Sequence, residues 1–271
     1  MDRVVAITRL SPAVASRLDA GSGTVGHVHS VFERAINVQW PDGALMALHG
    51  PGPLLAPFAA AVDHVEPLRW LRIGTPVSIE ARRLVTGDLS ILWPRAEVVD
   101  CSIDTAGGRG GRSPRHLRHW RGGHSASLDS APGIAGRAHL AAAIRERNAE
   151  RLITGAATLL GLGDGLTPSG DDCLVGALAV LHHVDREWLR RGEAPVVGAI
   201  AGSAHERTTT IGREFVLHAL AGRFSEPVLA VLRAIASGEQ RRAVARLARL
   251  GATSGADTLC GMRLACRSLP A

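Results

Sequence analysis

One glycine-rich segment holds the residue types best suited to binding an anion or an amide, and it runs Gly161-Leu-Gly-Asp-Gly-Leu-Thr-Pro-Ser-Gly-Asp-Asp172. Its three alternating glycines allow backbone conformations that are closed to other residues. Thr167 is predicted to cap a helix that has Pro168 at its first position. Because a loop that enters a helix presents backbone N–H groups to an anion, the segment predicts a phosphate-binding loop. The substrate- or phosphate-binding residues predicted here are Gly161, Gly163, Gly165, Thr167, Ser169 and Gly170.

Two neighbouring aspartates, Asp171 and Asp172, complicate this interpretation. Carboxylates in the first turn interact favourably with the helix dipole, but they repel a bound phosphate. In one interpretation a Mg²⁺ ion held by Asp171 and Asp172 bridges to the phosphate through oxygen ligands. In the other, an aspartate accepts hydrogen bonds from an amide-like NH₂ group of the substrate. A helix cap with acidic residues and no ligand is the structural alternative.

A second segment near the C-terminus, Thr253-Ser-Gly-Ala-Asp-Thr-Leu-Cys-Gly261, repeats the first as S-G-x-D-x-L-x-G, 85 residues later. The repeat predicts a duplicated loop–helix unit, or two loops that face one pocket. Asp172 and Asp257 are aligned carboxylates, whereas Asp171 has no acidic counterpart. We therefore rank Asp172 and Asp257 above Asp171 as functional residues. The binding residues predicted in the second copy are Ser254 and Gly255.

The composition excludes several classes of enzyme. All 31 basic residues are arginine, so the chain has no lysine for a Walker loop, a Schiff base or pyridoxal chemistry. It also has no tyrosine, and aromatic residues make up 3% of the chain. The net charge of +6 is compatible with nucleic-acid binding. Few aromatic residues are available to stack on bases, however, and arginine in place of lysine is typical of GC-rich coding, so we do not predict that function.

Elements of two kinds must position the aspartates. The first hundred residues predict short strands at regular spacing, which favours a small sandwich or barrel. The predicted strands are Val4–Thr8, Thr24–Phe32, Ala35–Trp40, Ala44–His49, Pro76–Arg83 and Leu89–Trp93, with one helix at Ser11–Asp19. The second half predicts helices. These are Ile134–Leu160, Asp172–Arg191, Thr209–Ala221, Glu226–Ser237 and Gln240–Leu250. The chain is therefore predicted to be α+β, with a β-rich domain (1–104), a basic linker or insertion (105–133) and a helical domain (134–271).

The basic segment between the domains has arginine at every third position from Arg109 to Arg121 and no acidic residue. Such a segment can be an RGG-like arm that binds RNA. A solvated, mobile insertion is the interpretation that we favour on composition.

The start of the chain shows no signal peptide, and its longest apolar run of interest is too short to cross a bilayer. None of the four cysteines forms a C-x-x-C pair. We therefore expect a reduced cytoplasmic protein that does not bind membranes.

The two motifs, GLGDGLTPSGDDCLVG and TSGADTLCG, resemble the bacterial domain-of-unknown-function family that includes the AllH-type subunit of oxamate carbamoyltransferase. The segments around Arg34-Ala-Ile-Asn37 and Thr208–Phe215 are similar to that family too. The resemblance implies carbamoyl chemistry in purine or allantoin catabolism, in which carbamoyl phosphate and oxamate exchange with oxalurate and phosphate. It also implies partner subunits, one of them similar to acyl-CoA synthetases, and we expect an oligomer.

A mechanism follows from this resemblance as a hypothesis. The glycine-rich loop holds the phosphate, and an aspartate binds the carbamoyl NH₂ group or a Mg²⁺ ion. Arg207 or Arg34 neutralises charge on the oxyanion or on the oxamate carboxylate. Asn37 either orients the substrate or stabilises a turn. The catalytic residues predicted in this way are Asp172, Asp257, Ser169 and Arg207.

Two other functions stay open at this point. The chain can be a non-catalytic scaffold or ligand-sensing subunit of a transfer complex, whose loops bind a ligand without converting it. It can also associate with RNA through the basic segment, which would give binding that falls steeply with salt. An enzyme or enzyme subunit is the prediction that we rank first.

Overall fold

The computed structural model describes residues 3–52, 54–103, 114–191, 193–237 and 239–270. They form two compact units, Met1–Cys101 and Ser102–Ala271. The first unit is a β-barrel and the second is mostly helical, which confirms the predicted α+β class. None of the helices in these described ranges is long and apolar enough to span a membrane.

The first unit consists of nine strands and one α-helix among its described residues. Its elements are β1 (Arg3–Leu10), α1 (Pro12–Ala20), β2 (Val25–Val31), β3 (Ala35–Gln39), β4 (Leu45–His49), β5 (Ala59–Val62), β6 (Pro76–Glu80), β7 (Arg83–Thr86), β8 (Leu89–Leu92) and β9 (Glu97–Val98). The Ser11 hydroxyl accepts a hydrogen bond from Val14 N and caps α1, close to the predicted start of that helix.

Eight strands close the barrel in the order β1-β5-β4-β3-β2-β6-β7-β8. Closure depends on β1, which pairs antiparallel with β5, Ile7 opposite Val62, and parallel with β8. The short strand β9 pairs with the end of β1 that β8 does not reach. Val28 and Val38 lie opposite each other on β2 and β3 and belong to the buried core. Alternation of such side chains is the pattern from which the strands were predicted.

Two features of the barrel differ from the prediction. Ala59–Val62 was not predicted as a strand because alanine has weak strand propensity, yet all four residues are buried and their pairing partners define β5. Pro76–Arg83 was predicted as one strand, but the chain reverses at Ala81 and Arg82 to form β6 and β7. Arg82 adopts the left-handed conformation there, with φ of 58°.

Among its described residues, the helical unit contains nine α-helices and two short 3₁₀ turns. The helices are α2 (Ala131–Glu146), α3 (Ala149–Leu159), α4 (Ser169–Val184), α5 (Arg186–Arg191), α6 (Glu193–Arg207), α7 (Thr210–Leu220), α8 (Glu226–Ser237), α9 (Gln240–Leu247) and α10 (Ser254–Ser268), and the turns are Arg115–His119 and Ala126–Asp129.

The predicted helix Ile134–Leu160 is divided into α2 and α3. Arg147 ends α2 in the left-handed conformation, and the Asn148 side chain caps α3 by accepting from Arg151 N. The predicted helix Asp172–Arg191 is likewise divided at Asp185 into α4 and α5. Helix α6 was not predicted, because its Gly- and Ala-rich sequence has weak periodicity. The sequence therefore indicated where helices lie better than where they end.

Part of the basic segment packs within the helical unit. Leu117 and Leu128 are fully buried in the core of this unit, and Arg118 Nε donates to Cys266 O at 2.8 Å. Arg109 and Arg112 lie in residues 104–113, which are outside the described residues. The domain limits at 104 and 133 stay a prediction.

The turn between β6 and β7 gives the first testable prediction. A non-glycine residue in the left-handed region costs roughly 1–2 kcal/mol, and the Arg82 side chain is exposed. Arg82→Gly should therefore raise the free energy of unfolding by about 0.5–1 kcal/mol, after the greater flexibility of glycine in the unfolded chain is included. Urea denaturation measures this change. Arg82→Ala is the control, since it removes the same side chain and keeps the strain; an equal gain with alanine would contradict the explanation.

Candidate functional site

Helices α4 and α10, which carry the two copies of the motif, cross in close contact at a pair of glycines. A Cβ on Gly176 would lie 2.0 Å from Thr258 O, and a Cβ on Gly261 would lie 1.8 Å from Cys173 O. Gly261 is 85 residues beyond Gly176, and Thr258 is 85 residues beyond Cys173. The two contacts are thus reciprocal, as a local twofold axis between equivalent units requires. The repeat in the sequence corresponds to a repeat in space.

The turns that enter the two helices are equivalent as well. Gly170 N donates to Leu162 O at 2.8 Å, and Gly255 N donates to Leu250 O at 2.9 Å. A Cβ on either glycine would meet a carbonyl oxygen of the preceding helix, at 1.9 Å and 1.7 Å respectively. Both glycines are therefore needed for close packing. Their N–H groups, predicted to bind phosphate, donate to the protein itself.

The first copy has a longer loop between the matched leucine and glycine, residues 163–169 against residues 251–254. The longer loop contains Gly163 and Gly165, whose φ angles are 109° and 94°. A Cβ on Gly163 would lie 2.9 Å from Ser169 N, whereas one on Gly165 would contact nothing within 4 Å. Gly161 precedes the loop and has φ of 74°. A Cβ on Gly161 would lie 1.9 Å from Arg207 O. Backbone approach and positive φ thus account for glycine at these positions.

The predicted helix cap at Thr167 is wrong. Helix α4 begins at Ser169, and Pro168 occupies the cap position without a side-chain hydrogen bond. The Thr167 hydroxyl instead lies 2.8 Å from the hydroxyl of Ser254, the first residue of α10. The two loops therefore meet at a pair of hydroxyl groups, in keeping with the interpretation in which both face one site.

Asp172 and Asp257 lie beside this hydroxyl pair and are both buried; Asp257 is fully buried and Asp172 is 8% exposed. Ser254 and Thr167 hydrogen-bond to Asp172. Asp257 Oδ1 accepts from Ser125 N at 2.7 Å. Oδ2 of each aspartate, however, has no hydrogen-bond partner among the described residues. Buried carboxylate oxygens are normally satisfied, so these two oxygens indicate where a donor from a ligand can bind.

The neighbouring carboxyl groups also affect the pKa of Asp172. Burial raises the pKa of Asp172 well above its usual range, and the hydrogen bond from Ser254 offsets only part of that increase. The negative charges of Asp257 and Asp171 raise this pKa further. Two buried carboxyl groups that repel each other tend to retain one proton between them. Burial and the neighbouring negative charges therefore favour the protonated form of Asp172.

Asp171 has a different environment, because protein groups occupy both of its oxygens. Oδ1 accepts from Gly161 N at 2.8 Å, and Oδ2 accepts from the Thr208 hydroxyl. These bonds tie the glycine-rich loop to the start of α7. Burial raises the pKa of Asp171 to about 6, against the opposing effect of the two hydrogen bonds. Asp171 thus ties the glycine-rich segment to the residues ahead of α7.

The predicted Mg²⁺ site at Asp171 and Asp172 stays a prediction. Since Asp171 uses both oxygens within the protein, Asp172 and Asp257 supply the oxygens that remain for a cation. Within the described ranges, no three or more His, Cys, Asp or Glu side chains are grouped as a metal site requires.

Three predicted residues do not join this cluster in the described contacts. Arg207 ends α6 with an exposed side chain, and only its carbonyl faces Gly161. Arg34 is exposed and Asn37 is buried on β3, both in the barrel unit. The Asn37 amide donates to the Ser30 hydroxyl at 2.9 Å within that unit. Their functional roles stay predictions.

Sequence reasoning missed Ser125 and Thr208, which support the aspartates. Ser125 contributes a backbone N–H, and no side-chain pattern signals such a contact across 132 residues. Thr208 lies in a segment already linked to the family, so its position ahead of α7 gave a partial signal.

The fold and the site together define a class of two-unit protein, in which an eight-stranded barrel precedes a helical unit with a duplicated loop–helix element and a buried pair of carboxyl groups. Residues 159–266 match the family described as oxamate carbamoyltransferase subunit AllH, and residues 5–98 match the AllH family N-terminal domain. The chain belongs to the AllH family, and the resemblance noted in its motifs is confirmed. No solved structure matches the chain.

The crossing of α4 and α10 gives the second prediction. Gly261→Ala would bring a methyl group against the Cys173 carbonyl, so the helices must separate, and overpacking of this kind costs roughly 1–3 kcal/mol. Gly198→Ala is the matched control, because this exposed glycine of α6 has open space around it. There alanine should stabilise the helix by up to about 1 kcal/mol. Thermal unfolding should therefore show shifts of opposite sign; a stabilised Gly261→Ala would contradict the close crossing.

The environment of Asp171 gives a third prediction, on pH dependence. The pKa of Asp171 is about 6 in the folded protein, against an ordinary value of 3.8 in the unfolded chain, so the folded state binds the proton more tightly. This contribution to stability is present below about pH 4 and is lost as pH rises through 6. Asp171→Asn does not titrate. Its unfolding free energy relative to wild type should thus rise by up to roughly 3 kcal/mol between pH 4 and pH 7.

Urea denaturation across this pH range checks the sign. Thr208→Val is the companion variant, because it removes a hydrogen bond that favours the charged form of Asp171. It should increase the loss of stability with rising pH. A pH-independent difference for Asp171→Asn would show that the carboxyl group does not titrate as its burial implies.

Proposed function

We propose that the helical unit binds an amide substrate of carbamoyl transfer between Asp172 and Asp257, and that the chain acts as an enzyme subunit of an oxamate carbamoyltransferase. The observation that carries this proposal is the pair of buried, unpartnered Oδ2 atoms where the two loop–helix units meet. Membership of the AllH family supports the class of reaction.

An amide NH₂ group can supply the hydrogen-bond donors that these two oxygens lack. It carries two N–H donors in one plane, and a carboxyl oxygen accepts such donors. Oxamate and the carbamoyl group both contain this NH₂ group. A hydrogen bond to an ionised acceptor is stronger than one between neutral groups. The pair therefore favours the neutral amide end of either ligand over its carboxylate or phosphate end, which the nearby negative charges repel.

The raised pKa of Asp172 suits it to proton transfer in this reaction. When the oxamate nitrogen attacks the carbamoyl carbon of carbamoyl phosphate, the nitrogen loses a proton and phosphate leaves with one. A carboxyl group with a raised pKa can accept that proton from nitrogen and release it to phosphate. Asp257, held by Ser125 N, keeps the second acceptor in position.

The phosphate is assigned to the longer loop of the first copy. Residues 163–167 lead to the N-terminus of α4, and backbone N–H groups at such a terminus bind anions. The Ser169 and Thr167 hydroxyls lie at the same end of the helix. Arg207 would neutralise charge on the oxyanion or on the oxamate carboxylate, and Mg²⁺ would bind through Asp172 if a cation takes part.

We further propose the cellular setting that the family implies. The chain would work in the cytoplasm within an oligomeric complex, beside a subunit similar to acyl-CoA synthetases, in purine or allantoin catabolism. The AllH family description as a subunit supports the complex.

A binding measurement tests the proposal and forms the fourth prediction. Asp172→Asn replaces an acceptor with an NH₂ group that opposes the amide of the ligand, so oxamate affinity should fall at least tenfold, about 1.4 kcal/mol. The same variant removes the unfavourable interaction of the Asp172 carboxyl group with Asp257 and Asp171 and should raise the unfolding temperature without ligand. Calorimetric titration of the full chain with oxamate, and with carbamoyl phosphate with and without Mg²⁺, measures the affinities.

Asp164→Asn is the control, since it changes an exposed carboxylate of the same loop and should preserve affinity. Loss of binding together with increased stability would exclude unfolding as the cause. Unchanged affinity in both Asp172→Asn and Asp257→Asn would overturn the proposed site. A complex that retains full transfer activity with these variants would instead favour the scaffold function.

A further inference from the structure

Two cysteine thiols lie next to the carboxyl pair, at the same helix crossing. Cys260 is one helical turn beyond Asp257 on α10, so the two side chains share a face. Cys173 follows Asp172 on α4. The two thiols hydrogen-bond to each other. The thiol pair and the carboxyl pair therefore form one continuous cluster.

The guanidinium group of Arg137 lies close to Cys260 and is fixed by hydrogen bonds. Arg137 Nη1 lies 3.8 Å from Cys260 Sγ. Arg137 Nη2 donates to Leu128 O at 2.7 Å and to Asp129 Oδ1 at 3.3 Å, which fixes the direction of the guanidinium group. The His124 ring, 2.9 Å from the same Asp129 oxygen, adds a second group that can carry positive charge.

These contacts distinguish the two thiols. The hydrogen bond from Cys173 lowers the pKa of Cys260, and Arg137 and His124 lower it further against the effect of burial. The pKa of Cys173 is raised well above its usual range, because its proton is shared with Cys260 and because the side chain is buried. Cys260 retains 6% of its surface exposed, whereas Cys173 has none. Of the two thiols, Cys260 thus has the lower pKa and the larger exposed surface.

We propose that Cys260 is the nucleophile that carries the carbamoyl group, as S-carbamoylcysteine, between carbamoyl phosphate and the acceptor amide. The inference rests on the proposed function and adds a covalent step to it. A thiolate beside an arginine and a histidine is the usual environment of a nucleophilic cysteine. The oxygen left unpartnered on fully buried Asp257, one turn away, is placed to hold the NH₂ group of the carbamoyl unit.

The two half-reactions balance. In the first, the Cys260 thiolate forms a bond to the carbamoyl carbon, the carbon–oxygen bond to phosphate breaks, and the proton of Asp172 leaves with phosphate. In the second, the oxamate nitrogen bonds to the same carbon, the carbon–sulfur bond breaks to restore the thiolate, and Asp172 takes the proton from nitrogen. Every group of the protein returns to its starting state.

Stoichiometric labelling of the full chain tests this inference, our fifth prediction. Carbamoyl phosphate without acceptor should release one phosphate per chain in a burst and leave a carbamoyl mass on the peptide that contains Cys260. Addition of oxamate should remove the label. Cys260→Ser and Cys260→Ala should abolish the burst and still bind oxamate, which shows that they fold. Cys266→Ala, a buried thiol elsewhere on α10, should retain the burst.

Alkylation with iodoacetamide gives a readout that does not depend on transfer. The reaction of Cys260 should reach half its maximal rate well below the pH of about 8.5 at which an ordinary thiol ionises, and Arg137→Gln should move this midpoint upward. Cyanate, a product of carbamoyl phosphate breakdown, serves as the control. It should label Cys260 without release of phosphate, so a label that appears without the phosphate burst indicates non-enzymatic carbamoylation.

The outcomes separate the two proposals. If oxamate binds with the expected dependence on Asp172 but no burst or label depends on Cys260, the transfer is direct and the covalent step is overturned. If oxamate does not bind, the proposed function fails, whatever the reactivity of the thiol. A label that persists in Cys260→Ser also contradicts the assignment.

Discussion

The close crossing of α4 and α10 is the constraint on which the rest of the helical unit depends. Gly176 and Gly261 let each backbone contact the other, so the first turns of both helices come together. That approach places Asp172 and Asp257 near each other and brings the Thr167 and Ser254 hydroxyls into contact. Wider side chains at the crossing would separate all four groups. The positions of the two carboxyl groups are therefore determined by backbone packing about one turn further along each helix.

The charge arrangement follows from that packing. Burial and the negative charges of Asp257 and Asp171 raise the pKa of Asp172. The hydrogen bonds to Asp172 and Asp257 come from hydroxyl and backbone groups, which orient them without neutralising them. Such an arrangement is costly for stability. It is what a site needs if a substrate N–H group is to complete the hydrogen bonding.

The sequence predicted the central pair but not its surroundings. The repeat S-G-x-D-x-L-x-G identified Asp172 and Asp257 as equivalent, since identical spacing in two helices places identical groups at a twofold crossing. It could not identify Ser125 or Arg137, because their contacts join distant segments through backbone atoms or one long side chain. In the barrel, the alternation of apolar and polar residues predicted most strands. Strand β5 has no such alternation, and only its pairing with β1 and β4 defines it. Local patterns thus predicted elements, and long-range contacts completed the site.

The unequal loops of the two copies have a consequence for how a ligand is oriented. Two acceptors related by a twofold axis cannot fix the direction in which a ligand binds. A planar amide rotated by half a turn presents the same two N–H groups to them. The loop of residues 163–169 has only a shorter counterpart at 251–254, so the surroundings on the two sides differ. In the proposed reaction, this difference between the loops would orient the ligand, which the carboxyl groups alone cannot do. It would distinguish the leaving group of the ligand from the group that remains bound.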